Sequence, residues 1–388
     1  MIERILIDGY KCLKDVSIET GLLNVLVGPN ASGKSSVLQV MLLLRQSADK
    51  GGSVESLHLS GLLYEAGTAL DILHPAAGHQ IKLQLLQNGI NTDFLFFHDD
   101  SDRESQTPTR LLRAEMKRNL PLELYDRDDG FAYLNAERIG PRVSYSLPPD
   151  ELHLGGLVGK HGEYTAAILD RASNDTIIDG WDEMFANDLA NALEKLDGCN
   201  LLRDLIDTEG RLDLVCNLML AWILPGSTFV AKEHDQTDSA TLRFIRNPKT
   251  KTSVRATHIG FGLTYTLPII TAALALRRDG LLLVENPEAH LHPFSQSRIG
   301  VFLAMMAATG RQIFLETHSD HVINGIRLAV RYSFIPPEQV YINFFKPPID
   351  GDSATVIPIR TQENGRLDRW PEGFFDQIED DLSKLLKK

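Results

Sequence analysis

The spacing of apolar and polar positions changes along the chain, and each change marks an element. Leu22-Leu23-Asn24-Val25-Leu26-Val27 is short and almost wholly apolar, as expected of a strand buried on both faces. After a glycine-rich turn, Ser36 to Arg45 is rich in Val, Leu and Met and reads as a helix. From about Leu57 to Phe97, short apolar runs alternate with Gly and Asn turns. Gln80 to Leu86 followed by Asn88-Gly89 predicts antiparallel strands there. Asp99 to Arg118 is polar and charged and is expected to be an exposed loop or helix, and Tyr133 to Arg142 reads as a strand ending in a turn. Between Tyr164 and Leu224 the period is helical, with Leu189, Leu193 and Leu196 on one face.

Further on, Asn247-Pro248-Lys249-Thr250 predicts a hairpin, and Thr257 to Tyr265 forms a glycine-rich turn that opens an apolar helix. Leu281-Leu282-Leu283-Val284-Glu285 is an apolar strand ending in an acid. Arg311 to Thr317 is another buried strand, with His318 at its end. Val340 to Phe345 and Ala354 to Arg360 read as strands, then comes the turn Glu363-Asn364-Gly365 and a short amphipathic helix from Phe374 to Leu386. Strands ending at Gly28, Glu285 and His318 are predicted to converge on one edge of a parallel sheet, where open α/β sheets bind ligands. Prolines 108, 121, 141, 148, 149 and 225 interrupt the middle of the chain, no heptad run persists, and no repeat of fixed period is present. Long coiled-coil arms are excluded.

The turn after the first buried strand, Gly28-Pro29-Asn30-Ala31-Ser32-Gly33-Lys34-Ser35-Ser36, fits G-x-x-x-x-G-K-[ST] between a strand and a helix. Glycines let the backbone curl until successive N–H groups and a helix N-terminus face phosphate, while Lys34 reaches the outer phosphates and Ser35 can ligate Mg²⁺. This predicts binding of a nucleoside triphosphate. The acid at the end of the Leu281 strand supplies the second half of such a site, because a carboxylate there holds Mg²⁺ and positions water. From Lys34 to Glu285 is 251 residues (285 − 34), so something large is inserted between the two halves.

Composition narrows the partners. At 388 residues the chain fits one large domain with an inserted lobe, or two domains. A net charge of −13 excludes a surface that is basic throughout, so contact with nucleic acid would be confined to a patch. The best such patch is Arg243 to Arg255, and a second cluster comprises Arg103, Arg110, Arg113, Lys117 and Arg118. Cys12, Cys199 and Cys216 lack the spacing of a disulfide framework or zinc site, and His290-x-His292 has no further ligands in view. With no apolar run long enough for a membrane span and no leader, a cytoplasmic protein is expected.

Taken in order, the phosphate loop, the long interruption, the glycine turn, the acidic strand and the strand ending in Thr317-His318 resemble the ABC-type ATPase heads of the SMC, RecF and overcoming-lysogenization-defect (OLD) families. Ile5 to Leu13 is similar to their opening strand. The stretches Ala136-Glu137-Arg138-Ile139-Gly140-Pro141-Arg142, Val284 to Pro293 and Trp370 to Asp376 resemble the short OLD-like ATPases with a small C-terminal domain of unknown function. The implied fold is a P-loop α/β head with a mixed sheet, an antiparallel β lobe and an inserted, mostly helical lobe. Its parts would be residues 1–98 (first half of the head), 99–240 (inserted lobe), 241–340 (second half) and 341–388 (small extension).

The resemblance also implies roles. ATP and Mg²⁺ would lie between two copies arranged head to tail, with Gly260 and Gly262 acting in trans and His318 contacting the γ-phosphate. Lys11 stands where many members carry an arginine near the nucleotide, and Gln46 would be the glutamine that links lobe movement to Mg²⁺. One departure concerns catalysis: where most heads carry a water-activating glutamate after the Mg²⁺ acid, this chain has Asn286. Hydrolysis is therefore expected to be slow, or to rely on Glu288. The residues after His318 lack the clustered acids of an OLD-type nuclease, so cleavage would fall to a separate partner. Three functions are consistent with this pattern: an ATP-switched regulator or scaffold of a separate effector in bacterial antiphage defence, a RecF-like DNA-binding repair ATPase, and an ATP-dependent assembly platform without nucleic acid.

Overall fold

The computed structural model describes residues 1–78, 80–97, 111–116, 118–125, 129–149, 156–173, 176–198, 201–245, 252–349 and 353–386. At the centre lies a six-stranded sheet in the order β16 (Thr355–Arg360), β15 (Val340–Lys346), β3 (Leu23–Val27), β14 (Gln312–Glu316), β13 (Leu281–Glu285) and β8 (Phe131–Leu134). All its pairings are parallel except that of β16 with β15. Both faces are covered, which is why the strands read as continuous apolar runs rather than alternating ones. Side chains still alternate between two cores. Leu281, Leu283, Phe314 and Phe345 face one, while Leu282, Val284, Ile313, Leu315 and Ile342 face the other.

The first core is closed by α1 (Lys34–Ser47) and by a six-stranded antiparallel lobe. The lobe's order is β2 (Val16–Glu19), β1 (Ile2–Asp8), β5 (Gln80–Gln87), β6 (Ile90–Phe97), β7 (Leu111–Met116) and β4 (Ser56–His58). Asn88 and Gly89 join β5 to β6 with φ of 50° and 70°, the left-handed pair a tight hairpin turn needs. Two single-turn helices, α2 (Ala69–Ile72) and α3 (Leu122–Tyr125), complete this side.

The second core is covered by α8 (Phe261–Ala275), α9 (Pro293–Ala308) and α10 (Asp320–Arg331), with α4 (Thr165–Ala172), α5 (Glu183–Asp197), α6 (Leu202–Asp207) and α7 (Leu212–Ile223) packed beyond them. Asp182 caps α5 by accepting from Phe185 N at 2.7 Å, and Gly198 ends it with φ of 67°. Leu189 and Leu193 are buried as the helical period requires, with Leu196 packed at the margin. A small sheet of β10 (Thr228–His234), β11 (Ser239–Ile245) and β12 (Ser253–Arg255), with β9 (Tyr145–Ser146) on its side, flanks these helices; α11 (Gln377–Leu386) closes the chain.

The expected parts do not separate where the sequence divides them. Leu111 to Met116, expected in an exposed loop or helix, is a strand of the β lobe, since pairing with β6 and β4 and burial of Leu112 outweigh its charges. The boundary at 98/99 therefore cuts that lobe, and β8, from within the 99–240 segment, is the edge of the central sheet. Nor is 341–388 a detached extension: β15 pairs in parallel with β3, Val340 opposite Leu23 and Phe344 opposite Val27. Residues 247–250 of the expected hairpin, Cys199, Arg103, Arg110 and Lys117 lie outside the described residues; β11 and β12 do pair antiparallel across that hairpin, Ile245 opposite Ser253.

Candidate functional site

The loop from Gly28 to Gly33 leaves the end of β3 and enters α1. Gly28 has φ of 146° and Gly33 of 99°, and a side chain at Gly28 would run into the carbonyl of Phe345 on β15. The close approach of β15, as well as the turn itself, thus demands glycine. No side chain caps α1 and no acid lies in its first turn, so the first amides of the helix point outward as anion donors. Lys34, with burial lowering its pKa, donates from Nζ to Pro29 O at 2.8 Å and lies 3.9 Å from Glu316 Oε1. Ser35 Oγ donates to Glu316 Oε1 at 2.9 Å. Ser32 closes the loop by donating to Pro29 O at 2.8 Å.

The neighbouring strand ends bring in the acids. β14 lies between β3 and β13, with Glu316 in register with Leu26 on one side and with Glu285 on the other. Glu316 went unremarked in the sequence, although an acid closing an apolar strand is the same signal that marks Glu285. Its carboxyl is pushed up to about 7 by burial, against the lowering effect of Ser35's hydrogen bond. Glu285 is held differently: Tyr133 OH donates to it at 2.9 Å and Ala136 N at 3.2 Å, so its carboxylate is engaged on the β8 side. Arg138 clamps the turn, donating to the carbonyls of Asn135, Glu285 and Asn286 at 2.9, 2.7 and 2.5 Å; burial lowers its pKa to about 10, which leaves it charged at neutral pH.

Asn286, at φ of 45°, donates its backbone N–H to Glu316 O at 2.8 Å, and its side-chain oxygen is buried without a partner among the described residues. Glu288 accepts from Thr317 Oγ1 and from His318 N, both at 2.7 Å, and so faces the segment after β14. His318 is exposed, and its pKa is lowered by partial desolvation of the ring and by the nearby Lys34 cation. Lys34, Ser35, Glu285, Glu288 and His318 therefore gather at one sheet edge, as their strand positions predict, with Glu316 in their midst.

Other expected residues sit further out. Gly260 begins α8 exposed, with open space around it, whereas a Cβ on Gly262 would come 2.9 Å from His290 O. Gly262 thus serves packing against the acid-bearing turn, and Gly260 is left facing solvent. His290 stacks in a cluster with Phe261 and Tyr265, and His292 accepts from Phe294 N at the start of α9. That is the structural reading of the H-x-H pair, and among the described residues no group of three His, Cys, Asp or Glu is placed to hold a metal. Lys11 donates to Gln39 Oε1 at 2.8 Å and Tyr64 OH at 2.7 Å, beside the second turn of α1. Cys12 packs against Gly33 and keeps this segment next to the phosphate loop.

Gln46 does not join the site. It lies about three helical turns, ~16 Å, beyond Ser35 at roughly 1.5 Å per residue. Its amide is spent on the backbone of His58 and Tyr64, at 2.7 and 3.1 Å. The structure thus corrects its expected place beside the metal: the apolar stretch of α1 carries the glutamine away from the phosphate end.

A largely parallel sheet, a glycine-rich loop opening an uncapped helix and facing acids are the fold of a P-loop NTPase. Sequence matches agree: residues 1–108 match the family described as AAA ATPase domain, and residues 172–324 match that described as AAA domain, putative AbiEii toxin, Type IV TA system. Residues 335–385 match a family described as protein of unknown function (DUF3696). The chain is similar in fold to the head of an SMC protein bound to the C-winged helix domain of ScpA, with TM-score 0.51, 12% identity, and 93% of this chain and 98% of that chain covered. It is equally similar to an Smc head with an extended coiled coil bound to the C-terminal domain of ScpA derived from Pyrococcus furiosus, with TM-score 0.51, 11% identity, and 100% and 99% coverage. No curated protein matches the sequence. Residues 1–108 and 172–324 are thus similar to AAA ATPase domains, and the fold is similar to that of SMC heads.

Proposed function

We propose that the protein binds ATP with Mg²⁺ at the Gly28–Ser36 loop, closes head to tail on a second copy, and hydrolyses slowly. The observation that carries this reading is the gathering of Lys34, Ser35, Glu288, Glu316 and His318 at one sheet edge, next to outward-facing helix amides. The uncapped loop suits phosphates, and the hydroxyl and carboxylate oxygens are the hard donors Mg²⁺ takes alongside phosphate. Gly28, Pro29, Asn30, Ala31, Ser32, Gly33 and Ser36 form the cradle, and Lys11 stands beside it. The exposed start of α8 at Gly260 supports a role in trans, because a bare helix N-terminus complements a γ-phosphate from a partner.

With Asn286 unable to accept a proton, Glu288 takes over the orientation of water; the donors from Thr317 and His318 hold both its oxygens in place. Mg²⁺ supplies charge neutralisation of the phosphates, and Lys34 adds a cation at the same place. The wider reading is a regulator or scaffold of a separate effector in bacterial antiphage defence. Two things support it: the family description matched by residues 172–324, which names a toxin system, and a head fold that in SMC proteins is seen with a bound partner. The test is the solution mass with and without ATP and Mg²⁺ for wild type and Lys34→Ala. Doubling that requires ATP and disappears in the variant is expected, and a mass indifferent to ATP would refute the sandwich.

A further inference from the structure

In the expected arrangement the acid ending β13, Glu285, is the protein's carboxylate for Mg²⁺. The geometry assigns that role to Glu316 on β14 instead, with Ser35, and leaves Glu285 as a positioning residue. This rests on the proposed ATP site. Three observations carry it.

First, the metal-binding hydroxyl of a phosphate loop must sit beside the carboxylate that shares its ion, and here Ser35 Oγ is hydrogen-bonded to Glu316 at 2.9 Å. Second, Glu285 is tied toward β8, its two oxygens accepting from Tyr133 OH and Ala136 N, and its backbone carbonyl is held by buried Arg138. Those hydrogen bonds anchor the Glu285 carboxylate on the β8 side, as befits a positioning residue. Third, Glu316 is only 6% exposed, and its Oε2 is buried without any hydrogen-bond partner among the described residues. Leaving such an oxygen unpaired is costly in a folded protein, and a divalent cation shared with Ser35 and the nucleotide phosphates would satisfy it. Mg²⁺ ordinarily takes one or two carboxylates plus phosphate and water, so no three-ligand protein cage is needed. Topology supplies the cause: β14 is inserted between β3 and β13, so of the two acid-ended strands it is the one beside the phosphate-loop strand.

The experiment measures the affinity of a fluorescent ATP analogue in EDTA and again in Mg²⁺, for wild type, Glu316→Gln, Glu316→Asp, Glu285→Gln and Ser35→Ala, with a melting curve for each. By linkage, the gain in nucleotide affinity that Mg²⁺ confers equals the gain in Mg²⁺ affinity that nucleotide confers. In EDTA, Glu316→Gln should bind at least as tightly as wild type, because a negative charge beside the phosphates has gone. In Mg²⁺ its gain should fall at least tenfold, as in Ser35→Ala, while Glu316→Asp keeps part of the gain and Glu285→Gln keeps most of it. A merely structural Glu316 would instead weaken binding in both buffers, and that result overturns the assignment. So does a Glu285→Gln variant that loses the Mg²⁺ gain while Glu316→Gln retains it. Wild-type protein that ignores the analogue in both buffers would bring down the proposed function itself, a separate failure.

Discussion

Ending the chain at Gln339 should abolish the fold rather than trim an appendage. The truncation removes β15, whose Val340, Ile342, Phe344 and Phe345 are all buried, at 0%, 0%, 3% and 0% exposure. Each such side chain contributes about 1.5–3 kcal/mol on leaving water, so the strand holds on the order of 6–12 kcal/mol before its hydrogen bonds are counted. A whole domain is stable by roughly 5–15 kcal/mol, so the loss consumes most or all of it. The damage reaches the site, because β3 loses its parallel partner on one side and Gly28 loses the carbonyl of Phe345 against which it packs. A milder version, Phe345→Ala, should cost about 3–5 kcal/mol and leave a folded but weakened protein. Urea denaturation followed by circular dichroism, alongside ATP binding, measures both. A truncated protein that unfolds cooperatively at the wild-type midpoint and still binds ATP would refute the reasoning.

Other substitutions probe the site. Gly262→Ala should lower the melting temperature, since the new Cβ meets His290 O at 2.9 Å, whereas Gly260→Ala should melt as wild type yet lose ATP-dependent doubling in solution mass. Equal melting losses for the two glycines would contradict this division. Glu288→Gln should reduce an already slow turnover by ~10²–10⁴, read by phosphate release; fast hydrolysis untouched by the change would remove Glu288 from the chemistry. If the basic stretch Arg243 to Arg255 holds DNA, mobility-shift affinity should fall with salt at a log–log slope near −0.9 per neutralised phosphate. An absent or salt-insensitive shift would exclude that role.

Much of the fold was legible because its signals are local. The strand before Gly28, the glycine turn and the helix after it each follow from a few consecutive residues, and the hairpin at Asn88-Gly89 from a backbone preference. Charge concealed β7, whose pairing between β6 and β4 no local pattern announces. Gln46 lies away for another reason: the helix whose N-terminus faces phosphate carries its far end off by its own length, and a segment of the β lobe takes up the glutamine amide. In the sequence Tyr133 and Arg138 are only parts of a strand and a motif; their work, holding the Glu285 turn, appears once β8 is placed beside β13.

By itself the sequence determined that a phosphate-binding loop exists, that an acidic strand answers it from far along the chain, and that the sheet between them is buried on both faces. Backbone curvature at glycine and the burial of apolar runs are settled by neighbours in sequence, so they can be read there. Only the tertiary structure decided which carboxylate faces Ser35, that the C-terminal strand completes the sheet, and that Glu285 is tied to Tyr133. Those outcomes depend on strand order and on hydrogen bonds between residues hundreds of positions apart, and an acid at the end of an apolar run looks the same whether a metal or a tyrosine will meet it.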